Sequence, residues 1–505
     1  MDDTSNHLGR RGFLGLTGLG AAGLMAATAC TDEPTTDTVV TTTAGDLRGA
    51  TTEGGLVWKG IPFAAPPTGE RRFAPPQPPQ PWTGVRNATR FGHAAPQEPI
   101  APGLPNIADQ SEDCLYLNVW SPSTNGRHAV IVWIHGGAFV MGSGSQELYD
   151  GTHYLENDCV LVTLNYRLGA FGCLYQPDRP GSGNLRLLDQ IAALRWVREN
   201  IAAFGGDPDN VTVMGESAGA MSIGALLGIP DARTLFRRAI LASGGPRPVR
   251  TPAEAAPTTA AVQQILGLAD PAALRDVPTA DLLRASTQVK DDVRLLEPFP
   301  HVIDGVVLTE HPLKTVDGSV DLLIGTCAID VFIPNPAEQA RFETLARTAV
   351  GAAQWTRILD IYQDTALPGR DPLIDALAGW FVVMPSIWLT EHAHRAGASV
   401  WQYTFDYAAA SPQGAIHGSD VPYTFSNLDH TANAAAHHLS TTMVASFATF
   451  ARTGNPSLPE LPAWPAFTPD SRACMSFDDT PRVTDDRLPA ARRAAWADTD
   501  PYNIC

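Results

Sequence analysis

One serine in this sequence stands in the pattern Gly-x-Ser-x-Gly, where it could act as a nucleophile. The pattern is Gly215-Glu-Ser-Ala-Gly219, with Ser217 at its centre. Residues 211–214 form an apolar run that favours a buried strand, and residues 220–227 have the composition of a helix. A strand, a sharp turn and a helix are the setting in which such a serine serves acyl transfer. The alternative is an ordinary Gly-Ser turn, because the bare pattern also occurs by chance.

A serine hydroxyl needs a base to take its proton, and the base needs a third group to orient it. In chains with this serine turn, an acid and then a histidine follow the nucleophile on loops after later strands. His417 is the best candidate for the base, because Gly414 and Gly418 would let its loop reach across the strand ends. The other histidines after Ser217 are His301, His311, His392, His394, His430, His437 and His438.

Asp330 is the candidate for the acid. It lies just beyond the apolar run 322–326, at the carboxyl end of a predicted strand. Folds that alternate strands and helices place catalytic groups at such ends. Asp304 and Glu310 compete with Asp330, and a solvated loop carboxylate is the alternative reading of Asp330 itself.

Backbone donors for an oxyanion are predicted in the Gly-rich turn 135–139, which follows the apolar run 129–134. Gly137 and Ala138 would donate their N–H groups from this turn, and Ala218 would donate from the start of the helix after Ser217. Each donor of this kind is typically worth roughly 100- to 1000-fold in turnover. A plain tight turn is the alternative for the glycines.

The elements that must position these residues alternate between strands and helices. This alternation predicts an α/β fold with a mainly parallel central sheet covered by helices on both faces. Residues 188–204 predict an amphipathic helix closed by glycine. The helical stretches 246–320 and 335–410 are expected to supply the walls of a pocket. Further strands are predicted at 111–119, 160–164, 236–241 and 399–405.

The composition and charge of the chain argue against a nucleic-acid partner, and its motifs argue against a metal or a cofactor. The chain has 505 residues, of which 44% are hydrophobic and 17% charged, so it can bury a large core. Its net charge of −18 argues against nucleic acid as a partner. The sequence has no zinc-like pair of cysteines and no motif for a cofactor, so neither a metal nor a cofactor is expected.

The N-terminus predicts export. Arg10 and Arg11 form a twin-arginine pattern, and the uncharged apolar stretch that follows them is too short to span a membrane. Residues 1–29 are therefore expected to be a signal peptide, and the location is expected to be extracellular or the cell envelope. Residues 30–36 would be a tether, and residues 37–505 the folded domain.

Small residues before Cys30 resemble a lipoprotein cleavage box, in which the cysteine is lipidated and becomes the new N-terminus. A lipid anchor at Cys30 would then be the protein's contact with a membrane. Ala27 stands where a leucine is usual, and an incidental cysteine in a removed peptide is the alternative.

Six further cysteines permit fifteen pairings. Pairing of Cys159 with Cys173 and of Cys474 with Cys505 is one guess, and buried free thiols are an equal alternative. The six are Cys114, Cys159, Cys173, Cys327, Cys474 and Cys505.

Taken together, these motifs resemble the type B carboxylesterases, the branch of the α/β-hydrolases that includes cholinesterase-like and para-nitrobenzyl-esterase-like proteins. The likeness extends from Val39 onward. The blocks that carry it are Gly60-Ile-Pro-Phe-Ala-Ala-Pro-Pro67, Glu112-Asp-Cys-Leu-Tyr-Leu-Asn118, His135-Gly-Gly-Ala-Phe139, Asn165-Tyr-Arg167, Phe204-Gly-Gly-Asp-Pro208, Gly215-Glu-Ser-Ala-Gly219 and Thr453-Gly-Asn-Pro456.

The resemblance implies an α/β-hydrolase fold and a triad of Ser217, Asp330 and His417. It also implies that Glu216 is a carboxylate beside the nucleophile, which would stabilise the imidazolium formed on His417. Two structural ion pairs are implied as well, Arg72 with Glu112 and Arg167 with Asp189.

Several residues depart from the family pattern. Asp330 stands where the family usually has glutamate, and because aspartate is one methylene shorter, its loop must approach His417 more closely. Cys327 replaces a usual asparagine, and Arg186 replaces a usual glycine. Cys114 matches a disulfide cysteine whose partner position is alanine here. Residues 92–115 hold no Trp, Tyr or Phe, which argues against choline esters as substrates.

The sequence therefore predicts an exported serine carboxylesterase that hydrolyses small-molecule esters through an acyl-enzyme. Two alternatives share the fold: a catalytically silent binding or scaffold protein, and a lipase or acyltransferase. The acyl and alcohol specificity and the oligomeric state are left open by the sequence.

Overall fold

A computed structural model describes residues 38–98, 107, 109–247, 249–292, 299–331, 333 and 335–502. These residues belong to one folded unit, Thr38–Cys505. The predicted signal peptide, the predicted tether with Cys30, and Cys505 lie outside the described residues.

The strands follow the predicted apolar runs and add short ones near both ends of the domain and in its middle, at 249–250 and 301–302. In chain order they are β1 (Val39–Thr42), β2 (Gly45–Arg48), β3 (Ala50–Thr52), β4 (Gly55–Pro62), β5 (Val85–Asn87), β6 (Tyr116–Ser121), β7 (His128–Ile134), β8 (Cys159–Leu164), β9 (Gly206–Glu216), β10 (Arg238–Ala242), β11 (Val249–Arg250), β12 (His301–Val302), β13 (Asp321–Cys327), β14 (Val400–Phe405), β15 (Cys474–Phe477) and β16 (Arg482–Thr484).

One large sheet organises the domain, with the strand order β16-β15-β14-β13-β10-β9-β7-β8-β6-β4-β3. The seven strands from β15 to β8 in this order pair in parallel. The strands at both edges pair antiparallel. The prediction of a mainly parallel central sheet is therefore confirmed. Two small sheets, β1-β2-β5 and β11-β12, lie outside it.

Helices connect the parallel strands, as such crossovers require. In chain order they are α1 (Thr152–Leu155), α2 (Gly169–Cys173), α3 (Leu185–Asn200), α4 (Ala218–Leu226), α5 (Pro230–Arg233), α6 (Pro252–Ile265), α7 (Thr279–Asp292), α8 (Pro312–Thr315), α9 (Pro336–Val350), α10 (Ala352–Asp364), α11 (Pro372–Ala378), α12 (Met384–Arg395), α13 (Val421–Phe425), α14 (Ala434–Thr453) and α15 (Ala490–Ala494).

Both faces of the sheet are buried, and strand β7 shows why its sequence is apolar throughout. Val130 and Val132 pack in one core cluster with side chains of α3 and α4. Ile131 and Trp133 point to the opposite face and pack in a second cluster with side chains of α14. Alternate residues of a strand point to opposite faces, so a strand covered on both sides needs a continuous apolar run.

Helix α3 differs from its prediction in two respects. It begins at Leu185 rather than at residue 188, and its polar residues are buried together with its apolar ones. Arg186, Asp189 and Gln190 are fully buried, because α3 contacts strand β9 on one side and helices α2 and α4 on others. The predicted strand 111–119 also shortens at its start, since β6 begins only at Tyr116.

A long apolar helical run, Pro372–Arg395, joins α11 to α12 through a π-helical turn at Gly379–Val383. Its length and composition alone would suit a membrane span, but 72% of its most apolar window is buried inside the fold. It therefore packs as a core helix of this domain, and the π-helical turn places Phe381 against Phe139, Ala218 and Met221.

Candidate active site

Ser217 lies on the sharp turn between β9 and α4. Its backbone has φ 53° and ψ −122°, a conformation that residues other than glycine rarely adopt. The two flanking glycines make this turn possible. A Cβ atom on Gly219 would lie 2.0 Å from the Ile134 carbonyl oxygen, and one on Gly215 would lie 2.7 Å from the carbonyl carbon of Gly219. The turn therefore presents the serine hydroxyl at the carboxyl end of the sheet.

The three residues predicted as a triad are hydrogen-bonded to one another in this structure. The Nε2 atom of His417 lies 2.8 Å from Ser217 Oγ, and its Nδ1 atom lies 2.6 Å from Asp330 Oδ1. Asp330 is fully buried, and the His417 side chain keeps 14% of its surface exposed. Ser217 and His417 are thus partly accessible to solvent, while Asp330 is shielded from it.

The loops that carry the acid and the histidine are joined by their backbones. Ile329 donates its N–H to the Ala415 carbonyl at 2.9 Å, and His417 donates its own N–H to the Ile329 carbonyl at 3.1 Å. The second carboxylate oxygen of Asp330 accepts from the Cys327 N–H at 3.0 Å. This short bridge brings the loops close enough for the shorter aspartate side chain to reach the imidazole.

Two further carboxylates lie near His417. Glu216 Oε1 lies 3.5 Å from His417 Nε2, in the place that the family resemblance implied. Burial, together with the charges of Asp420 and Asp330, raises the pKa of Glu216 to about 8, although the opposing charge of His417 lowers it. Burial and the charge of Asp330 also raise the pKa of Asp420, to about 6.

Asp420 is a residue that the sequence reasoning missed. It is fully buried, and neither of its carboxylate oxygens has a hydrogen-bond partner among the described residues. Its signal was available, because it lies three positions after His417 in the same glycine-containing loop. The negative charge of this carboxylate favours the protonated form of the His417 ring.

These charges determine the proton affinity of the imidazole. Burial alone would lower the pKa of His417, because it disfavours the charged ring. The hydrogen bond that His417 donates to Asp330 and the negative charges of Glu216, Asp330 and Asp420 act in the opposite direction and raise that pKa to about 9. The site therefore favours a positively charged imidazole, the form that follows transfer of a proton from serine.

The Gly-rich loop after β7 lies against the nucleophile. A Cβ atom on Gly136 would lie 3.3 Å from Ser217 Cβ, and Gly137, Ala138 and Phe139 all have positive φ angles. In the described part of the chain, the N–H groups of Gly137, Ala138 and Ala218 donate no hydrogen bond. Unused amides next to a serine hydroxyl are the arrangement that stabilises an oxyanion.

An apolar wall adjoins this loop. Phe139 packs against Ala218 and Met221, and Phe381 of the π-helical turn joins them from the long helical run. Such irregular turns are frequent at functional sites. The wall thus includes a residue from the predicted helical stretch 335–410.

Both ion pairs implied by the family resemblance are confirmed. Arg167 binds Asp189 through two parallel contacts of 2.8 and 2.7 Å, and both side chains are almost fully buried. Arg72 binds Glu112, with 2.7 Å between Nε and Oε2. They fix the chain segments that flank the sheet and lie apart from the triad.

The described cysteines are buried free thiols, so the guessed pairing of Cys159 with Cys173 is wrong. The guessed partner of Cys474 lies outside the described residues. The alternative of buried free thiols is confirmed for Cys114, Cys159, Cys173, Cys327 and Cys474.

The other candidate acids have different surroundings. Asp304 accepts backbone N–H groups of its own loop and the side-chain amide of Asn184. Glu310 is exposed at the surface. Over the residues that the structure covers, no group of three or more His, Cys, Asp or Glu is arranged to hold a metal ion.

Comparisons with known proteins agree with this geometry. The model of the carboxylesterase family matches residues 36–496. The para-nitrobenzyl esterase of Bacillus subtilis (strain 168) is 39% identical over 482 residues, which cover 89% of this chain and 97% of that protein. The phenmedipham hydrolase of Pseudarthrobacter oxydans is 34% identical over 486 residues, or 87% of this chain and 94% of that protein.

The fold has close counterparts among solved structures. The crystal structure of a Geobacillus stearothermophilus carboxylesterase superposes with a TM-score of 0.83 at 37% identity, covering 91% of this chain and 100% of that one. Levels of identity and coverage this high identify a family as well as a fold. The chain belongs to the carboxylesterase family, and it is a serine carboxylesterase with the α/β-hydrolase fold.

Proposed function

We propose that Ser217 is the nucleophile of this carboxylesterase, that His417 is its general base and that Asp330 orients the histidine. His417 Nε2 takes the hydroxyl proton while Ser217 Oγ attacks the ester carbonyl. The carbonyl oxygen becomes an oxyanion, which the N–H groups of Gly137, Ala138 and Ala218 stabilise. The imidazolium then gives its proton to the leaving alcohol, and an acyl group remains on the serine.

Water completes the reaction by the same steps. His417 takes a proton from the water molecule, whose oxygen attacks the acyl carbon and again produces an oxyanion. When this intermediate collapses, the carboxylic acid leaves and the proton returns to Ser217. Glu216 and Asp330 stabilise the positive ring in both halves of the reaction, since each adds negative charge beside it.

The observation that carries this proposal is the continuous hydrogen-bond chain from Ser217 through His417 to the buried Asp330. The relatives add a substrate class, because one of them is named for para-nitrobenzyl esters. We propose small esters with an aromatic alcohol as substrates. Hydrolysis of para-nitrobenzyl and p-nitrophenyl esters of increasing acyl length tests this directly. A burst of alcohol before steady turnover is expected, because the acyl-enzyme forms before it is hydrolysed.

The same panel separates the alternatives. Adding a simple alcohol would divert the acyl group to a new ester in an acyltransferase, and a lipase would prefer long acyl chains presented as droplets. A folded protein that turns over none of the esters would favour the binding or scaffold alternative. The serine, the histidine and the glycine loop are all present, which argues against the binding or scaffold alternative.

Glu216→Gln is expected to move the acid limb of the pH profile of kcat/KM to lower pH. His417 accepts a proton only when its ring is neutral, so activity rises with pH through the histidine pKa, which the site raises to about 9. The Glu216 charge favours the protonated ring. Without that charge, the pKa of His417 falls and the neutral base persists at lower pH.

The measurement is kcat/KM on one soluble ester from about pH 5 to about pH 10. Glu199→Gln is the matched control, because Glu199 is exposed on the outer face of α3. Its profile should coincide with that of the wild type. An acid limb that stays in place or moves to higher pH in Glu216→Gln would remove Glu216 from this role.

Export with a lipid anchor at Cys30 is also part of the proposal. It rests on the twin arginines Arg10 and Arg11 and on the small residues that precede Cys30. We expect the full chain, expressed in a host with twin-arginine export, to reach the envelope fraction with a lipid-bearing Cys30 as its first residue. Mass spectrometry of the N-terminal peptide measures this. A protein that remains in the cytoplasm with residues 1–29 still attached would contradict the export proposal.

Export and lipidation are separated by one substitution. Cys30→Ala is expected to lose the lipid-bearing first residue without changing ester hydrolysis, and residues 1–29 should stay attached because the cleavage box has lost its cysteine. If the N-terminal peptide of that variant is still processed before residue 30 and still carries a lipid, the anchor is not at Cys30.

A further inference from the structure

Arg186 is a charged residue that the mechanism does not use. It stands in the first turn of α3, where the family usually has glycine, and it is fully buried. None of its three guanidinium nitrogens has a hydrogen-bond partner among the described residues. A buried charge is normally paired, because removing it from water without compensation is costly. Its surroundings therefore indicate a missing partner.

His301 adjoins the same place and is unpaired in the same way. Its ring is fully buried, and neither ring nitrogen has a partner within the described ranges. Burial and the neighbouring charge of Arg186 hold the pKa of His301 well below its ordinary value. The ring is thus neutral and offers one N–H donor, next to the five N–H donors of the guanidinium.

Phe139 connects these two residues to the oxyanion loop. The Arg186 guanidinium carbon lies 4.3 Å from the centre of the Phe139 ring, and the His301 ring meets the same ring edge-on at 5.1 Å. The aromatic face attracts the cation, but it cannot accept the fork of N–H groups in the guanidinium plane. Phe139 therefore stabilises the charge of Arg186 but accepts none of its in-plane N–H groups.

Asp304 and Asp189, the two carboxylates that act together with Arg186 on the pKa of the buried Cys173 thiol, are already bound by other groups. Asp189 is bound by both the side chain and the backbone N–H of Arg167. Asp304 accepts three backbone N–H groups and the Asn184 amide. The Asn184 side chain also bonds to Val302, so it does not cap α3, and the positive end of that helix adds to the charge of Arg186.

We propose that Arg186 and His301 form a buried binding site for a small monoanion, a halide or a carboxylate such as formate, directly behind Phe139 of the oxyanion loop. The anion accepts N–H groups from the guanidinium fork and from the imidazole, and its charge balances that of Arg186. Because Phe139 also packs against Ala218, the bound anion supports the loop that holds the oxyanion donors. This site is separate from the triad.

Crystals of the wild-type enzyme grown in bromide test the site without any variant. We expect an anomalous scattering peak within hydrogen-bond distance of both Arg186 and His301. Bromide peaks confined to the surface, with none at these two residues, would overturn the proposal.

Thermal stability provides the second test. At constant ionic strength, replacing gluconate with chloride from about 1 mM to about 200 mM should raise the Tm of the wild type by about 2 °C or more, and the rise should saturate. Gluconate is too bulky for a buried site. Arg186→Met should lose this dependence, while Arg195→Met on the exposed face of α3 should keep it. Equal chloride dependence in wild type and Arg186→Met would contradict the proposal.

A last comparison identifies the source of the anion. p-Nitrophenyl hemisuccinate carries a free carboxylate, and p-nitrophenyl butyrate is its neutral counterpart. If the site takes a dissolved ion, chloride will leave the ratio of their kcat/KM values unchanged. If the carboxylate of the acyl chain occupies the site, chloride will lower kcat/KM for the hemisuccinate alone, and Arg186→Met will remove that effect.

Discussion

Ser217→Ala is expected to reduce kcat for p-nitrophenyl ester hydrolysis by about 10⁵- to 10⁶-fold. In the proposed mechanism the hydroxyl oxygen of Ser217 forms the covalent bond, and no other hydroxyl is hydrogen-bonded to His417 in the described part of the chain. The oxyanion donors and the pocket remain, so a residual rate above that in water is expected. Steady-state kinetics on the purified variant, with circular dichroism to confirm its fold, measure this effect.

Ser243→Ala is the matched control for this substitution. Ser243 directly follows the neighbouring strand β10, is fully buried, and has nearly the same positive φ angle, 54° against 53° for Ser217. It differs in lacking a hydrogen bond to the histidine, so its variant should retain activity within about tenfold of the wild type. Comparable rates in Ser217→Ala and Ser243→Ala would contradict the assignment of the nucleophile.

Asp330→Asn is expected to lower kcat by about 10⁴-fold, the effect typical of this change in a serine triad. The amide keeps the size of the side chain but removes the charge that stabilises the imidazolium. It also allows the ring to adopt the tautomer that cannot take the serine proton. Because Asp330 Oδ1 lies 2.6 Å from Nδ1 in a fully buried setting, water cannot substitute for the lost carboxylate. Values of kcat and KM on one ester measure the loss.

Asp304→Asn is the appropriate comparison, since Asp304 was the competing candidate in the sequence. Its carboxylate organises its own loop, and we expect kcat to stay within about tenfold of the wild type. A severe loss in Asp304→Asn with a near-normal Asp330→Asn would reverse the assignment of the acid. If kcat/KM of Asp330→Asn no longer falls toward low pH, the loss of activity is due to a change in the pKa of His417.

Sequence patterns predicted the centre of the fold better than its margins. Strands such as β9 and β13 are buried on both faces, so their continuous apolar runs are visible in the chain. The edge strand β16 and its neighbour β15 have three and four residues and carry no comparable pattern. Helix α3 was predicted from its apolar spacing, but the burial of its polar residues depends on the helices packed around it.

The site shows the same division between local and long-range information. The turn around Ser217 is a local feature, because two glycines and a strand before a helix specify it. The contact between Asp330 and His417 joins positions 87 residues apart and depends on the backbone bridge between Ile329 and Ile416. The sequence indicated that this approach was needed, and only the structure supplies the hydrogen bonds that achieve it.

Arg186 illustrates what a sequence cannot supply. Its position in the chain revealed an unusual residue type, yet an arginine on a helix is ordinarily exposed. That no described residue accepts a hydrogen bond from its guanidinium, which lies against Phe139, is a property of the packed structure. A departure from a family pattern thus became informative only when its surroundings were known.

The most direct test of the mechanism is to map the covalent bond on the nucleophile. The phosphorus atom of a fluorophosphonate takes the place of the ester carbonyl carbon and is attacked by an activated serine. The wild-type enzyme should therefore take up one label per chain and lose activity in proportion to the label bound. Trypsin would release the labelled residue in the peptide 199–233, which contains both Ser217 and Ser222. Fragmentation of that peptide is predicted to place the label on Ser217. A label on any other residue, or an active esterase that takes up none, would contradict the account.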